Sequence, residues 1–336
     1  MLKIDALSVR ACLAAGLFAL VLAGCGEGPG TAASGAPMTP ETILADGSST
    51  VFPITSEAAR RFLRQQRDAD IRVSYSGTTA GFRLFCAGSI DIGNASRMMN
   101  DEERAACAAN GVEFLQLPLA LDTVAVVVHF DNDWVDHLTL AELRKIWEPA
   151  AEGTLMRWNE VRPEWPDQPL VLFGRGQDSG TYDVFTSRVM GEARSSRRDY
   201  TASEDEEFLA AALAEEPNSL GFFGIGAYHR HWETLRVVAI DAGNGPVYPS
   251  LETAQSGRYQ PLTRQMYLYV NKASLAEKPH LAEFLDHYFV GINRWLPLTG
   301  YLLLHEDTYA TNRFSIKQLL GAGTATARDQ RTEDPS

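Results

Sequence analysis

The 336-residue sequence is long enough for two ordinary domains, and its makeup (45% hydrophobic, 10% aromatic, 22% charged) is that of a chain that buries a core. That balance excludes bulk disorder and collagen-like repetition. A formal charge of −13 argues against non-specific binding to nucleic acid or to an anionic membrane surface, and four cysteines are too few for a disulfide-built scaffold.

In chain order, the first expectation is export. Lys3 and Arg10 precede an apolar run, Ala11 to Ala23, too short to span a bilayer stably. The run ends in Leu22-Ala23-Gly24-Cys25, which resembles the bacterial lipobox. Residues 1–24 are expected to leave as a lipoprotein signal peptide, with Cys25 lipidated. Residues 25–41, rich in Gly, Ala, Ser, Thr and Pro, would be a flexible tether. Loss of Lys3, Arg10 and Asp5 makes the mature chain one unit more negative. Cys86 and Cys107 are then the remaining pair in an oxidising compartment. They read as one bridge, with two buried free thiols as the other reading.

The next segments repeat one layout: a short strand, a small-residue turn, a helix start. Ile43-Leu44-Ala45 has strand character, Ser48-Ser49-Thr50-Val51 is the turn, and Ile54, Ala58, Ala59 and Phe62 recur at helical spacing behind Pro53. Ile71, Val73 and Tyr75 alternate with polar residues before Ser76-Gly77-Thr78-Thr79-Ala80-Gly81. Ile90 to Ser96-Arg97 reads as a short strand ending in polar groups. Val124 to Val128 predicts a strand buried on both faces. Thr139 followed by Glu142 predicts a capping box opening a helix. After the strand Leu170–Phe173 comes a third turn, Arg175-Gly176-Gln177-Asp178-Ser179-Gly180-Thr181. Each such turn offers free N–H groups and the positive end of a helix dipole to an anion, and Arg175 adds a bidentate fork.

Further on, helices are expected over Glu204–Glu215, over Leu281–Phe289 and after Asn293, with strands at Leu235–Ile240 and Met266–Val270. The alternation predicts two α/β lobes with largely parallel sheets. Glu204 to Glu207 reads as a solvated helix N-terminus, and Trp147, Trp158 and Trp165 as core and interlobe packing. His229 and His231 could be two metal ligands but lack a third, so no metal or other cofactor is expected. Asp178-Ser179-Gly180 has the local look of a serine-protease nucleophile without the rest of that pattern.

The segments DGSSTVFPIT, SGTTAGFRLFCAGSIDIGNASR, LRKIWEPAAEGTLMRWNEVRPEWPDQPL, GQDSGTYDVF, DYTASEDEEFL and SLGFFG run in family order across most of residues 43–300. They resemble the PstS family of phosphate-binding proteins of phosphate ABC transporters, most of all its SphX-like branch. The resemblance implies a type II periplasmic-binding-protein fold: two α/β lobes joined by a two-strand hinge, closing over phosphate. Lobe 1 would comprise residues 42–121 and 264–322, lobe 2 residues 122–263, and residues 323–336 a frayed end. The resemblance also favours the Cys86–Cys107 bridge. It implies phosphate contacts from Ser49, Thr50, Val51, Thr78, Arg175, Ser179, Gly180 and Thr181. Where the wider family has an aspartate accepting the phosphate proton, this sequence has Ser96 followed by Arg97, with Asp178 as a substitute acceptor. The expected protein is a lipid-anchored, non-catalytic monomer at the periplasmic face of a bacterial membrane. It would capture inorganic phosphate and deliver it to an ABC permease. Its alternatives are a binder of another tetrahedral oxyanion such as sulfate, or an exported phosphatase.

Overall fold

The computed structural model describes residues 39, 41–177 and 179–329. The export segment with Cys25, the acceptor candidate Asp178 and residues 330–336 lie outside them.

The chain begins with β1 (Ile43–Gly47), α1 (Phe52–Leu63), β2 (Ile71–Val73), α2 (Thr78–Cys86), β3 (Ile92–Ala95), α3 (Asp101–Ala109) and the long β4 (Phe114–His129). The helical spacing read behind Pro53 is the buried face of α1, where Ile54, Ala58, Ala59 and Phe62 pack against α11 and the sheet. β1 pairs in parallel with β2 and β3. Helix α3 opens on a capping box, with Asn100 and Glu103 exchanging bonds to each other's backbone N–H. Cys86 at the end of α2 and Cys107 in α3 form a disulfide, closing a segment of 21 residues.

The middle of the chain holds β5 (His137–Thr139), α4 (Leu140–Trp147), α5 (Trp158–Val161), β6 (Val171–Arg175), α6 (Gly180–Val189), β7 (Thr201–Ser203), α7 (Glu206–Glu215), β8 (Ser219–Gly224) and α8 (Ile225–His231). After them come β9 (Leu235–Val237), β10 (Ala239–Asp241), β11 (Pro246–Val247) and α9 (Leu251–Gln255). The Thr139–Glu142 capping box opens α4 as expected. The single strand expected over Leu235–Ile240 is two. Val238 donates its N–H to Val126 O and ends the pairing with β4, and β10 then joins β5 and β11 in a separate small sheet. The chain closes with β12 (Thr263–Asn271), α10 (Lys272–Glu277), α11 (Pro279–Phe289), α12 (Ile292–Trp295) and α13 (Glu306–Asp329). The last helix thus includes residues 323–329 of the expected frayed end.

The main sheet runs β2-β1-β3-β12-β4-β8-β6-β7, with β9 also on β4. It is mixed rather than largely parallel. β12 is antiparallel to both β3 and β4, and β4 is antiparallel to β8 and β9. The reason is topological: β4 leaves one half of the molecule and β12 returns to it, so the two run in opposite directions. Residues Phe114–Thr123 of β4 pair with β12, and Val124–Val128 pair with β8. The sixteen residues of this strand therefore belong to two halves, each with its own core. One core gathers residues from Ile43 to Ala120 and from Met266 to Ile316. The other gathers Val124 to Leu262 and contains Trp147, Trp158 and Trp165. There Phe185 stacks on Phe222 at 3.9 Å, and a Cβ at Gly174 would lie 2.5 Å from the Phe222 ring. That glycine lets the strand carrying Arg175 lie flat on the aromatic core.

Candidate functional site

The first two turns are welded together. Gly47 has φ +133°, and a Cβ there would lie 2.1 Å from Asn94 O, so only glycine fits. Its carbonyl accepts the N–H groups of Ser76 and Gly77 at 3.1 and 2.8 Å, which fixes the start of α2 against the end of β1. Within the first turn Thr50 N donates to Ser48 Oγ, and Val51 N donates to Ser48 O, both at 3.2 Å. Val51 is fully buried, Thr50 nearly so, and Ser49 is exposed.

The third turn is built around Ser179, the N-cap of α6. Its Oγ accepts the N–H groups of Thr181 and Tyr182 and a bond from Arg175 Nε at 2.9 Å. Arg175 Nη1 donates to Glu204 O at 2.8 Å and lies 3.4 Å from Glu206 Oε1. The arginine is thus held flat against the turn by its own lobe.

Arg264, on β12, joins the two lobes. Its Nη2 donates to Thr50 Oγ1 at 2.9 Å and to Gly180 O at 3.1 Å. Nε and Nη2 also donate to Asp122 Oδ2 at 3.0 and 2.9 Å, and Asp122 is almost wholly buried. The turns meet so closely that a Cβ at Gly180 would lie 1.8 Å from Thr50 Oγ1. Ser49, Thr50, Arg175, Ser179, Gly180 and Thr181 accordingly line one cleft of about 550 Å3. Arg264 and Asp122 were not singled out from the sequence. Each is an ordinary charged residue in a strand pattern, and their pairing spans 142 positions.

Glu206 is the other group the sequence did not assign to the site. Of the run read as a solvated helix N-terminus, Asp205 is the N-cap of α7, but Glu206 lines the cleft with its Oε1 accepting Gly224 N–H at 3.1 Å. Burial raises its carboxyl above the ordinary value, against the opposing pull of Arg175 and the Gly224 N–H. His231 binds Glu207 at 2.6 Å, and among the described residues no His/Cys/Asp/Glu group has a metal-holding arrangement.

Thr78, Ser96 and Arg97 form a second group. Thr78 Oγ1 and Ser96 Oγ are 3.1 Å apart, and Ser96 N donates to Thr78 Oγ1 at 3.3 Å. Arg97 makes a two-bond fork to Glu103, both at 2.8 Å, donates to Thr79 Oγ1 at 3.0 Å and covers the Phe82 ring. The Arg97 bonds hold Glu103 below the usual carboxylate range, and the guanidinium is correspondingly raised. Ser96 and Arg97 open on a smaller cavity of about 290 Å3, which Arg264 also lines. Two helix starts, two arginines and several hydroxyls thus converge between the lobes, a donor set matched to a small oxyanion.

Residues 31–290 match a family model described as a PBP superfamily domain. The chain is 43% identical to Protein SphX of a Synechocystis species over 280 residues, 83% of each chain. It is 29% identical to the phosphate-binding protein PstS of Staphylococcus saprophyticus, over 90% of this chain and 92% of that one. A solved structure of a possible phosphate binding protein from Planctomyces limnophilus superposes with a TM-score of 0.76 at 35% identity, covering 83% of this chain and 98% of that one.

Proposed function

The chain belongs to the PBP superfamily, among the SphX and PstS phosphate-binding proteins, and from that premise we propose that it captures inorganic phosphate between its lobes and hands it to an ABC permease. The observation that carries this reading is the meeting of the Ser49–Thr50 turn with Arg175 and the Ser179–Thr181 turn across one cleft. The proposed phosphate contacts are Ser49, Thr50, Val51, Thr78, Ser96, Arg97, Arg175, Ser179, Gly180 and Thr181. Charge-assisted hydrogen bonds contribute roughly 1.5–3 kcal/mol each, so several converging donors outweigh a diffuse negative surface field.

The lobes are proposed as residues 42–121 with 264–322, and 122–263. The change of partners along β4, between Thr123 and Val124, falls two residues after that boundary and supports a division there. The protein acts as a monomeric, non-catalytic receptor, extracytoplasmic and held at the membrane by lipid on Cys25. No helix of the described residues is long and apolar enough to cross a membrane.

Calorimetric titration of the desalted protein with phosphate, sulfate and arsenate tests the reading. Phosphate is expected to bind tightly and sulfate weakly. Tight sulfate binding with no heat from phosphate would overturn it, and release of phosphate from a phosphate ester would restore the enzyme alternative.

A further inference from the structure

The two cavities that meet the Thr50, Arg264 and Gly180 contact residues differ in charge. The larger cleft is lined by Asp122, Glu204, Asp205, Glu206 and Glu207 against Arg175 and Arg230. The smaller cavity, which shares Arg264 with the Thr50–Arg264–Gly180 contact, is lined by Ser96, Arg97, Val184, Ser187, Arg188 and Arg264, with no carboxylate among its lining residues. Two of its three arginines are already compensated, Arg97 by Glu103 and Arg264 by Asp122. Arg188 is exposed, and its side chain makes no hydrogen bond or ion pair among the described residues. It follows Val184 and Ser187 on one face of α6, the helix that begins at the Ser179–Thr181 turn. Eight residues of rise put its Cα about 12 Å along the axis from Gly180. That is near enough to act on an anion approaching the turn, although screening sets in over about 8 Å at physiological salt.

A dianion approaching a chain of net charge −13 is repelled by the average field and must come in where the local field reverses. We propose that the smaller cavity is the access vestibule for the anion and that Arg188 is its steering charge, acting on the rate of capture rather than on the bound complex. This rests on the phosphate-binding reading and adds the route by which the ligand arrives.

The test is stopped-flow association of inorganic phosphate with the full chain at low and high ionic strength. Arg188→Gln is expected to lower kon by about three- to tenfold at low ionic strength, within the usual range of electrostatic steering. The deficit shrinks with added salt, while koff and the thermal transition stay as in the wild type. Arg188→Glu lowers kon further, Arg188→Lys restores it, and Arg258→Gln, an exposed arginine outside both cavities, leaves it unchanged. An unaltered kon in Arg188→Gln, a loss carried by koff, or an equal loss in Arg258→Gln overturns the inference alone. A wild type that takes up no phosphate overturns the proposed function and this inference together.

Discussion

Arg175, one of the proposed phosphate contacts, is a charge held in place by its own surroundings. Ser179 Oγ, Glu204 O and the nearby Glu206 hold the guanidinium in one orientation, so little conformational entropy remains to be lost on binding. Arg175→Ala is therefore expected to weaken phosphate binding at least tenfold, about 1.4 kcal/mol, with little change in the apo thermal transition. Titration calorimetry with differential scanning calorimetry checks this, and an unchanged affinity means that another cation holds the anion. Arg175 was legible because it sits four residues before Ser179 in a strand-turn-helix segment, where local spacing carries the signal. Arg264 was not: it reaches Thr50 and Gly180 from 214 and 84 positions away, and no local pattern marks such a contact. Glu206 was misjudged for a related reason. The sequence shows a dipole-favoured helix start but not which carboxylate of the run turns inward.

At the scale of elements, the capping box of α4 is more than a local signal. Glu142 accepts the Thr139 N–H and hydroxyl, both at 2.8 Å, and the Arg162 fork at 2.5 and 2.8 Å. Burial alone would raise its carboxyl; the Arg162 and Thr139 bonds outweigh it and bring the pKa down to about 2. The folded value lies below the unfolded one. The stabilisation is therefore complete above the ordinary carboxylate range and is lost as pH falls towards about 2. Glu142→Gln should thus lower stability near neutral pH by about 1–3 kcal/mol, and the gap from the wild type should close under acid. Denaturant melts across this range check it; a gap independent of pH would mean that packing, not charge, holds the helix start. The disulfide acts on a neighbouring element pair. It ties α2, which carries Thr78, to α3, which carries Glu103, and closing its 21-residue segment contributes about 3 kcal/mol in the chain-entropy model. Helix starts and capping boxes were readable because they depend on residues within one turn. The division of Leu235–Ile240 between two sheets was not, since both pieces have strand composition and only their partners differ.

For the whole molecule, the proposed capture of phosphate turns on how closely the lobes approach. Gly180 begins α6, where alanine suits the helix itself, but its added methyl would collide with Thr50 Oγ1 from the other lobe. Gly180→Ala is expected to cut phosphate affinity at least tenfold and to leave the phosphate-loaded protein more expanded in small-angle scattering than the wild type. Equal affinity and equal dimensions would show that the contact is not needed for closure. The sequence by itself determined the α/β alternation, the three strand-turn-helix segments and the family, because those reside in periodicity, short-range spacing and segments met in order. Tertiary structure alone decided that the sheet is mixed, that Arg264 beside Asp122 reaches both Thr50 and Gly180, and that Glu206 lines the cleft. Such features depend on which distant strands and side chains come within a few ångströms of one another. Close-packed neighbours across the fold set that, and the local chain does not encode it.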